Sequence, residues 1–259
     1  MTPANQSAMA NDLHVVVPFF NEERCLPQTL KALSEQLDPN FAVVLVDNGS
    51  TDASAEIAVE FSQRMHHLSV QVIHEPVKGT GAAADTGFRY AIAEGARWIA
   101  RTDADCLPRP NWTRVLRQAL EADGLDFVAG RIKPRLDELR LSPARRALIG
   151  LAVWLAENYG KIHRRGPQFR YPYFMVAGNN LAISADLYLQ SGGFPRSSLE
   201  DVNEDRVLSE AVRTLTANAA LRDDLVVYNS VRRLQAYGVI NTLRWYRNRG
   251  YRPDAVDIR

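Results

Sequence analysis

Apolar and polar positions alternate along this chain with two different periods, and the switches between them cut its first half into repeated strand and helix units. Leu13-His14-Val15-Val16-Val17-Pro18 is a β-branched run stopped by proline, and within residues 23–37 Leu26, Leu30, Leu33 and Leu37 recur at helical spacing. Residues 41–47 predict a second strand, Asn48-Gly49-Ser50-Thr51-Asp52 a turn and cap, and residues 53–64 a helix. A third strand is expected at 68–73. After His74-Glu75-Pro76-Val77-Lys78 a glycine-rich turn opens a helix that runs to Ala93. Residues 98–102 follow as a fourth strand, 111–122 as a helix behind Pro108 and Pro110, and Phe127-Val128-Ala129 as a fifth strand.

Near-continuous apolar strands between amphipathic helices imply an α/β fold whose sheet is doubly wound, mostly parallel and covered on both faces. After Pro134 the alternation ends. Residues 141–163 read as one long helix, 171–177 as an aromatic strand or loop, and 184–190 and 204–214 as helices. With no internal repeat and no linker tract, the expected organisation is a flexible tail at 1–12 and a single domain at 13–259, divided into halves at 13–133 and 134–259.

Composition narrows the partners. The chain has 259 residues, 46% hydrophobic and 24% charged, and its 31 basic and 30 acidic residues leave a formal net charge of +1, which excludes a nucleic-acid partner on charge balance. Its two cysteines, Cys25 and Cys106, stand apart from any Cys/His cluster, so reduced thiols in a cytoplasmic protein are expected. Met1 to Asn11 lacks the pattern of a secretory signal. The longest apolar run, 147–155, is broken by Gly150 and flanked by Arg145, Arg146, Lys161, Arg164 and Arg165, too short to span a bilayer. The helix at 141–163 could instead lie on the inner face of a membrane, or pack against the core with its Leu and Trp stripe buried.

Chemistry concentrates where the predicted strands end. Asp103-Ala104-Asp105 closes the fourth strand, and side chains two apart on a strand emerge on one side, so these carboxylates can converge on a hard cation or on a hydroxyl and a cation. Turn and helix-cap aspartates would look the same. Four loops nevertheless leave consecutive carboxyl ends of one parallel sheet: Pro18-Phe19-Phe20-Asn21-Glu22, Asp47-Asn48-Gly49-Ser50, Lys78-Gly79-Thr80-Gly81 and Asp103-Ala104-Asp105. They face one edge, where open α/β sheets keep their ligands.

These segments, with Val46 before Asp47, Gly178-Asn179-Asn180, Gly192-Gly193-Phe194 and Glu204-Asp205, resemble the family 2 glycosyltransferases, which have the A-type glycosyltransferase fold. The resemblance implies a Rossmann-like nucleotide-sugar half with a C-terminal acceptor-binding elaboration. It implies that Pro18, Phe20 and Glu22 border the nucleoside, that Val46, Asp47 and Asn48 meet the base, and that Asp103 holds the ribose across Ala104. Asp105 would ligate a divalent metal, Mn2+ or Mg2+, at the diphosphate of a nucleotide-diphosphate sugar donor, and Lys78 or Arg131 would add charge there. The acceptor would be a sugar or a lipid-linked molecule.

Glu204-Asp205 would supply the general base of an inverting transfer, with Asp205 preferred. Against this, Asn203 can cap a helix whose dipole the two acids merely complement, and a carboxylate there is stabilised in its charged form and so a weak base. The upstream pair Glu200-Asp201 competes for the role, and Asn241-Thr242-Leu243-Arg244-Trp245 only loosely resembles the element of processive members. Tyr171, Tyr173 and Phe174 could stack on a sugar. Other functions remain open on the residues alone. Gly79-Thr80-Gly81-Ala82-Ala83-Ala84 fits the dinucleotide fingerprint of an NAD(P)-dependent oxidoreductase, and a nucleotidyltransferase or a silent sugar-nucleotide binder would share much of the pattern.

Overall fold

The computed structural model describes residues 12–135, 165–196 and 203–232, together with scattered positions between 142 and 162. Its elements follow the order β1 (Leu13–Phe19), α1 (Leu26–Ser34), β2 (Ala42–Asp47), α2 (Ser54–Arg64), β3 (Ser69–His74), α3 (Thr80–Ala93), β4 (Trp98–Arg101) and β5 (Cys106–Pro108). Then come α4 (Trp112–Arg117, continued by a π-helical turn at Gln118–Ala122), β6 (Phe127–Pro134), β7 (Leu181–Ser184), α5 (Ala185–Ser191), α6 (Glu204–Leu215) and β8 (Ala219–Asn229).

The described strands form one eight-stranded sheet in the order β3-β2-β1-β4-β7-β6-β8-β5. β1 to β4 are parallel, as the strand and helix alternation requires, because each crossover carries a helix. Beyond β4 the sheet is mixed: β7 pairs antiparallel with both β4 and β6, β8 parallel with β6, and β5 antiparallel with β8. Successive residues of β1 feed opposite cores. Val15 and Val17 pack with Leu26, Leu30 and Leu33 of α1 and with Trp112 and Leu116 of α4, whereas Val16 packs with Phe88 of α3, Tyr188 of α5 and Leu208 of α6. Each such buried valine or leucine contributes about 1.5–3 kcal/mol, so the alternating apolar run fixes which helices cover which face. α3 lies so close on the sheet that a Cβ at Gly87 would come within 2.4 Å of Val16 Cγ1.

The first half follows the sequence pattern closely, and the second half departs from it. β6 runs past the expected 127–129 to Pro134, residues 171–177 are loop, and β5, β7 and β8 are strands that the pattern does not reveal. β8 is masked in sequence by Arg222-Asp223-Asp224, which fall where its register against β6 slips between Gly130 and Arg131. Asn180 stitches that irregularity: its Nδ2 donates to the carbonyls of Arg131 and Leu225, both at 3.0 Å, and its Oδ1 accepts from Trp112 Nε1 at 2.9 Å. The tail at 1–11, residues 197–202 and residues 233–259 lie outside the described residues, as does most of the expected helix at 141–163.

Candidate active site

The loops at the carboxyl ends of β1, β2 and β3 hold one another in shape. Asn21, in the left-handed region at φ 53°, accepts from the Thr51 amide at 2.8 Å and donates its own N–H to Ser50 Oγ at 3.1 Å. The Glu22 amide donates to Ser54 Oγ at 2.7 Å. Asn48 is buried, and its amide does structural work: Nδ2 donates to the carbonyls of Glu75 at 2.9 Å and Val77 at 2.8 Å, while Oδ1 accepts from the Gly79 amide at 2.8 Å. Both donors and the oxygen are thus engaged with backbone, which ties β2 to the loop entering α3. Asp47 accepts from the Ser50 amide at 2.9 Å and lies 3.3 Å from His74 Nδ1. Pro18, Val46 and Ala104 are buried and shape the floor of the edge, and Phe20 carries the Lys78 ammonium 5.4 Å from its ring centre.

β4 ends at Arg101, and the chain then turns, the Cys106 amide donating to the Asp103 carbonyl at 3.0 Å. The turn breaks the strand alternation, so Asp103 and Asp105 reach different cations instead of one. Asp103 Oδ1 accepts from Arg101 Nε at 3.0 Å. Asp105 Oδ2 accepts from Arg232 Nη2 at 3.2 Å, and Arg232 also binds both oxygens of Glu22, with Nη1 to Oε2 at 2.7 Å. Burial pushes the Glu22 carboxyl above its ordinary value against the pull of Arg232, and the neighbouring Asp105 and Asp103 charges add to that push.

Arg101 is the centre of the second half of the site. Its side chain is only 2% exposed, a cation in an apolar strand that must find anions. Its Nη2 lies 3.8 Å from Glu204 Oε1 and its Nη1 3.8 Å from Asp205 Oδ1, and the Phe194 ring backs the guanidinium at 5.3 Å. Both acids open α6. Asn203 caps that helix, its side chain accepting from the Arg206 amide at 3.3 Å, and this frees Glu204 and Asp205 to turn inward. The expected cap is present, and the two acids that follow it face Arg101.

Burial first, and then the charge of Glu204, push the Asp205 carboxyl up to about 7, against the opposing pull of Arg101 and the Gly178 amide. Neither Asp205 Oδ1 nor Arg101 Nη1 has a hydrogen-bond partner among the described residues. Gly178 packs on the pair: a Cβ there would lie 2.2 Å from Asp205 Oδ1. The Asp205 side chain is three-quarters buried, and its Oδ1 is enclosed between Gly178 and Arg101. Burial opposes the stabilisation of the charged form expected at a helix start.

Several expected contributors have other work. Tyr171 is buried and stacks on Phe174 at 5.1 Å, and Tyr173 stands 5.5 Å from the Arg213 guanidinium. Arg131 pairs with Asp223 at 2.7 Å. The dinucleotide fingerprint is occupied by protein, since a Cβ at Gly81 would meet the Pro195 carbonyl oxygen at 2.4 Å; the glycine admits that chain, and the oxidoreductase expectation is set aside. Glu200, Asp201 and residues 241–245 lie outside the described residues. Of 141–163, the described Leu151, Trp154 and Ile162 are exposed. A concavity of about 520 Å³ on the far side, between Arg97 and Gln190, gathers none of these carboxylates.

Sequence reasoning missed Arg101 and Arg232. Arg101 carried a signal, being charged within the apolar Trp98-Ile99-Ala100 run. Arg232 carried none, because its partners are 127 and 210 positions away.

The described residues contain no group of three His, Cys, Asp or Glu side chains able to hold a metal by themselves. Asp105, with Glu22 adjacent across Arg232, offers hard oxygen donors; the neighbouring Cys106 thiol, which donates to Asp105 Oδ1 at 3.4 Å, is pushed up by burial and so held protonated, and the carboxylates fit Mn2+ or Mg2+ when a diphosphate completes the shell.

The chain is similar to known glycosyltransferases in sequence and in fold. The profile described as Glycosyl transferase family 2 matches residues 14–187, more than half of the chain. Glycosyltransferase AglE of Haloferax volcanii is 32% identical over 121 residues, covering 46% of this chain and 38% of AglE. An undecaprenyl-phosphate 4-deoxy-4-formamido-L-arabinose transferase of Pseudomonas fluorescens is 33% identical over 142 residues, covering 54% of this chain and 40% of its own. The match thus spans about two fifths of the length of these relatives. Among solved structures, S. aureus TarS 1–349 in complex with UDP-GlcNAc superposes with a TM-score of 0.63 at 17% identity, over 85% of this chain and 58% of that one. The mannosyltransferase PcManGT of Pyrobaculum calidifontis, in complex with GDP-Man and Mn2+, gives 0.61 at 21% identity, over 93% and 66%. These likenesses establish the shared fold.

Proposed function

The chain belongs to glycosyl transferase family 2, and from that premise we propose that it transfers a sugar from a nucleotide-diphosphate sugar to an acceptor hydroxyl, with inversion and with Asp205 as general base. The observation that carries the proposal is the buried Asp205 carboxyl, 3.8 Å from the Arg101 guanidinium that also binds Asp103 at 3.0 Å. Asp103 stands on the donor side, at the ribose, and Asp205 on the acceptor side. As the acceptor oxygen attacks the anomeric carbon, its proton passes to Asp205 while the bond from that carbon to the diphosphate oxygen breaks. Glu204 sustains the proton affinity of Asp205 by like-charge repulsion. Asp105 would hold Mn2+ or Mg2+, which when bound supplies Lewis-acid neutralisation of the leaving diphosphate. Lys78 beside Phe20 is placed to add charge at the nucleotide.

The donor assignment draws support from the UDP-GlcNAc and GDP-Man complexes of the structural neighbours, and a lipid-linked acceptor from the name of the undecaprenyl-phosphate relative. The exposed Leu151, Trp154 and Ile162 are consistent with work at the cytoplasmic face of a membrane. No described helix is long and apolar enough to cross one.

Thermal unfolding with UDP, GDP or dTDP, with and without Mn2+ or Mg2+, tests the donor site. Stabilisation of about 2.7 kcal/mol is expected at a hundredfold excess of nucleotide over Kd, dependent on metal. Metal-independent stabilisation by NAD(P) would overturn the proposal. Asp205→Asn is expected to keep nucleotide binding and to lower transfer by about 10²–10⁴-fold. Undiminished transfer would pass the base role to Asp201.

A further inference from the structure

We propose that Arg101 is a positioning residue that joins the two halves of the active site, one guanidinium orienting Asp103 on the donor side and the Glu204-Asp205 pair on the acceptor side. Its three nitrogens divide the work: Nε donates to Asp103 at 3.0 Å, Nη2 faces Glu204 at 3.8 Å and Nη1 faces Asp205 at 3.8 Å. A planar fork can span three carboxylates in this way, whereas an ammonium is a single point of charge. The fork is held from behind. Phe194 lies against it at 5.3 Å, the Phe194 amide donates to Tyr188 Oη at 3.0 Å, and that hydroxyl donates to the buried Asp85 at 2.8 Å. Gly178 closes the remaining side, where a Cβ would come within 2.8 Å of Nη1. Nothing in this enclosure lets the guanidinium follow one carboxylate without disturbing the other.

The inference rests on Asp205 as base and Asp103 as the donor-side carboxylate. The groups acting on the Asp205 carboxyl are Glu204 on its own helix, Arg101 and Asp103 from the end of β4, and the Gly178 amide. Arg101 is the one cation among them. A buried opposite charge at this range holds a carboxyl down by about 1–3 pH units, so its removal raises the proton affinity of the base while releasing Asp103. A residue that serves only packing would do neither.

The test compares Arg101→Gln and Arg101→Lys in the full chain. It uses the pH profile of kcat/KM for the acceptor and the affinity for the nucleotide diphosphate that stabilises the wild type. For Arg101→Gln the acidic limb is expected to move up by about 1–3 pH units and nucleotide affinity to fall by about tenfold, both in one variant. Arg101→Lys keeps the charge and loses the fork. Its acidic limb should stay near that of the wild type while nucleotide affinity still falls, and it supplies the readout if the glutamine variant does not fold. An unmoved limb and unchanged affinity in Arg101→Gln would overturn the inference, as would a change in only one of the two. If Asp205→Asn abolishes transfer while Arg101→Gln is silent, the coupling fails and the base assignment stands; if Asp205→Asn transfers normally, the base assignment itself fails.

Discussion

Two arginine and carboxylate clusters flank the same short stretch, residues 192–196, and differ in how completely their charges are satisfied. At Arg196, Nη2 binds Glu75 at 2.7 Å, and Nη1 binds Asp85 at 3.2 Å and Thr86 Oγ1 at 2.7 Å. Asp85 also receives Arg89 and Tyr188, and Glu75 also receives Thr86 and the Val77 amide. Hydrogen bonds from Thr86 and Arg196 overcome burial and hold the Glu75 carboxyl below its ordinary value. Behind Phe194, by contrast, one guanidinium serves three acids, two of them at 3.8 Å, and Asp205 is pushed up to about 7. The same residue types build a clamp at Arg196, where many described donors meet the carboxylates, and leave the Asp205 carboxyl pushed up at Arg101. Incomplete satisfaction is what leaves a carboxyl reactive.

The contrast can be broken from the clamp side first. Asp85→Ala strands the buried Tyr188 hydroxyl and releases two arginines, and is expected to cost about 3 kcal/mol in denaturant unfolding. Transfer per folded molecule should also fall, through the Tyr188 and Phe194 backing of Arg101. A variant of full stability would mean that the clamp contributes nothing. On the other side, Gly178→Ala drives a methyl into Asp205 Oδ1 and Arg101 Nη1, and is expected to lower kcat by about 10²-fold and, through Arg101, to weaken nucleotide binding as well. Retained nucleotide affinity would mean that Gly178 acts on Asp205 alone and that Arg101 does not couple the two halves.

A further expected effect concerns stability against pH. A raised carboxyl binds its proton more tightly in the folded chain, so between the ordinary value of 3.8 and about 7 the contribution of Asp205 to stability falls as pH rises, and it stays low above that window. Glu75 has the opposite sign: its contribution is present above the ordinary 4.5 and is lost as pH falls below it. Asp205→Asn should therefore be more stable than the wild type at pH 8 by thermal unfolding, the gap closing toward pH 4. A gap that widens toward acid would refute the environment assigned to Asp205.

Much of this architecture is written in local pattern. The apolar runs at Leu13, Phe41, Leu68 and Trp98 and the helices between them fall close to where periodicity places them, since β1, β2 and β4 are buried on both faces and each helix carries its own stripe; β3, at the sheet edge, is only partly buried. The strands of the second half were not legible, because β8 carries Arg222-Asp223-Asp224 through a register slip and β7 is only four residues long. Asn48 shows a different limit: its place at the sheet edge was evident, its employment by three backbone groups was not.

The sequence by itself determined the class of fold, the acidic edge and the identity of the two acids that open α6, because these depend on periodicity, turn chemistry and charge within a few residues of one another. Only the tertiary structure decided how those acids are governed. Arg101 meets Asp205 across about a hundred positions, and Arg232 meets Glu22 across 210. Proton affinity depends on burial and on charges a few ångströms away, and those distances exist only once the chain has closed on itself.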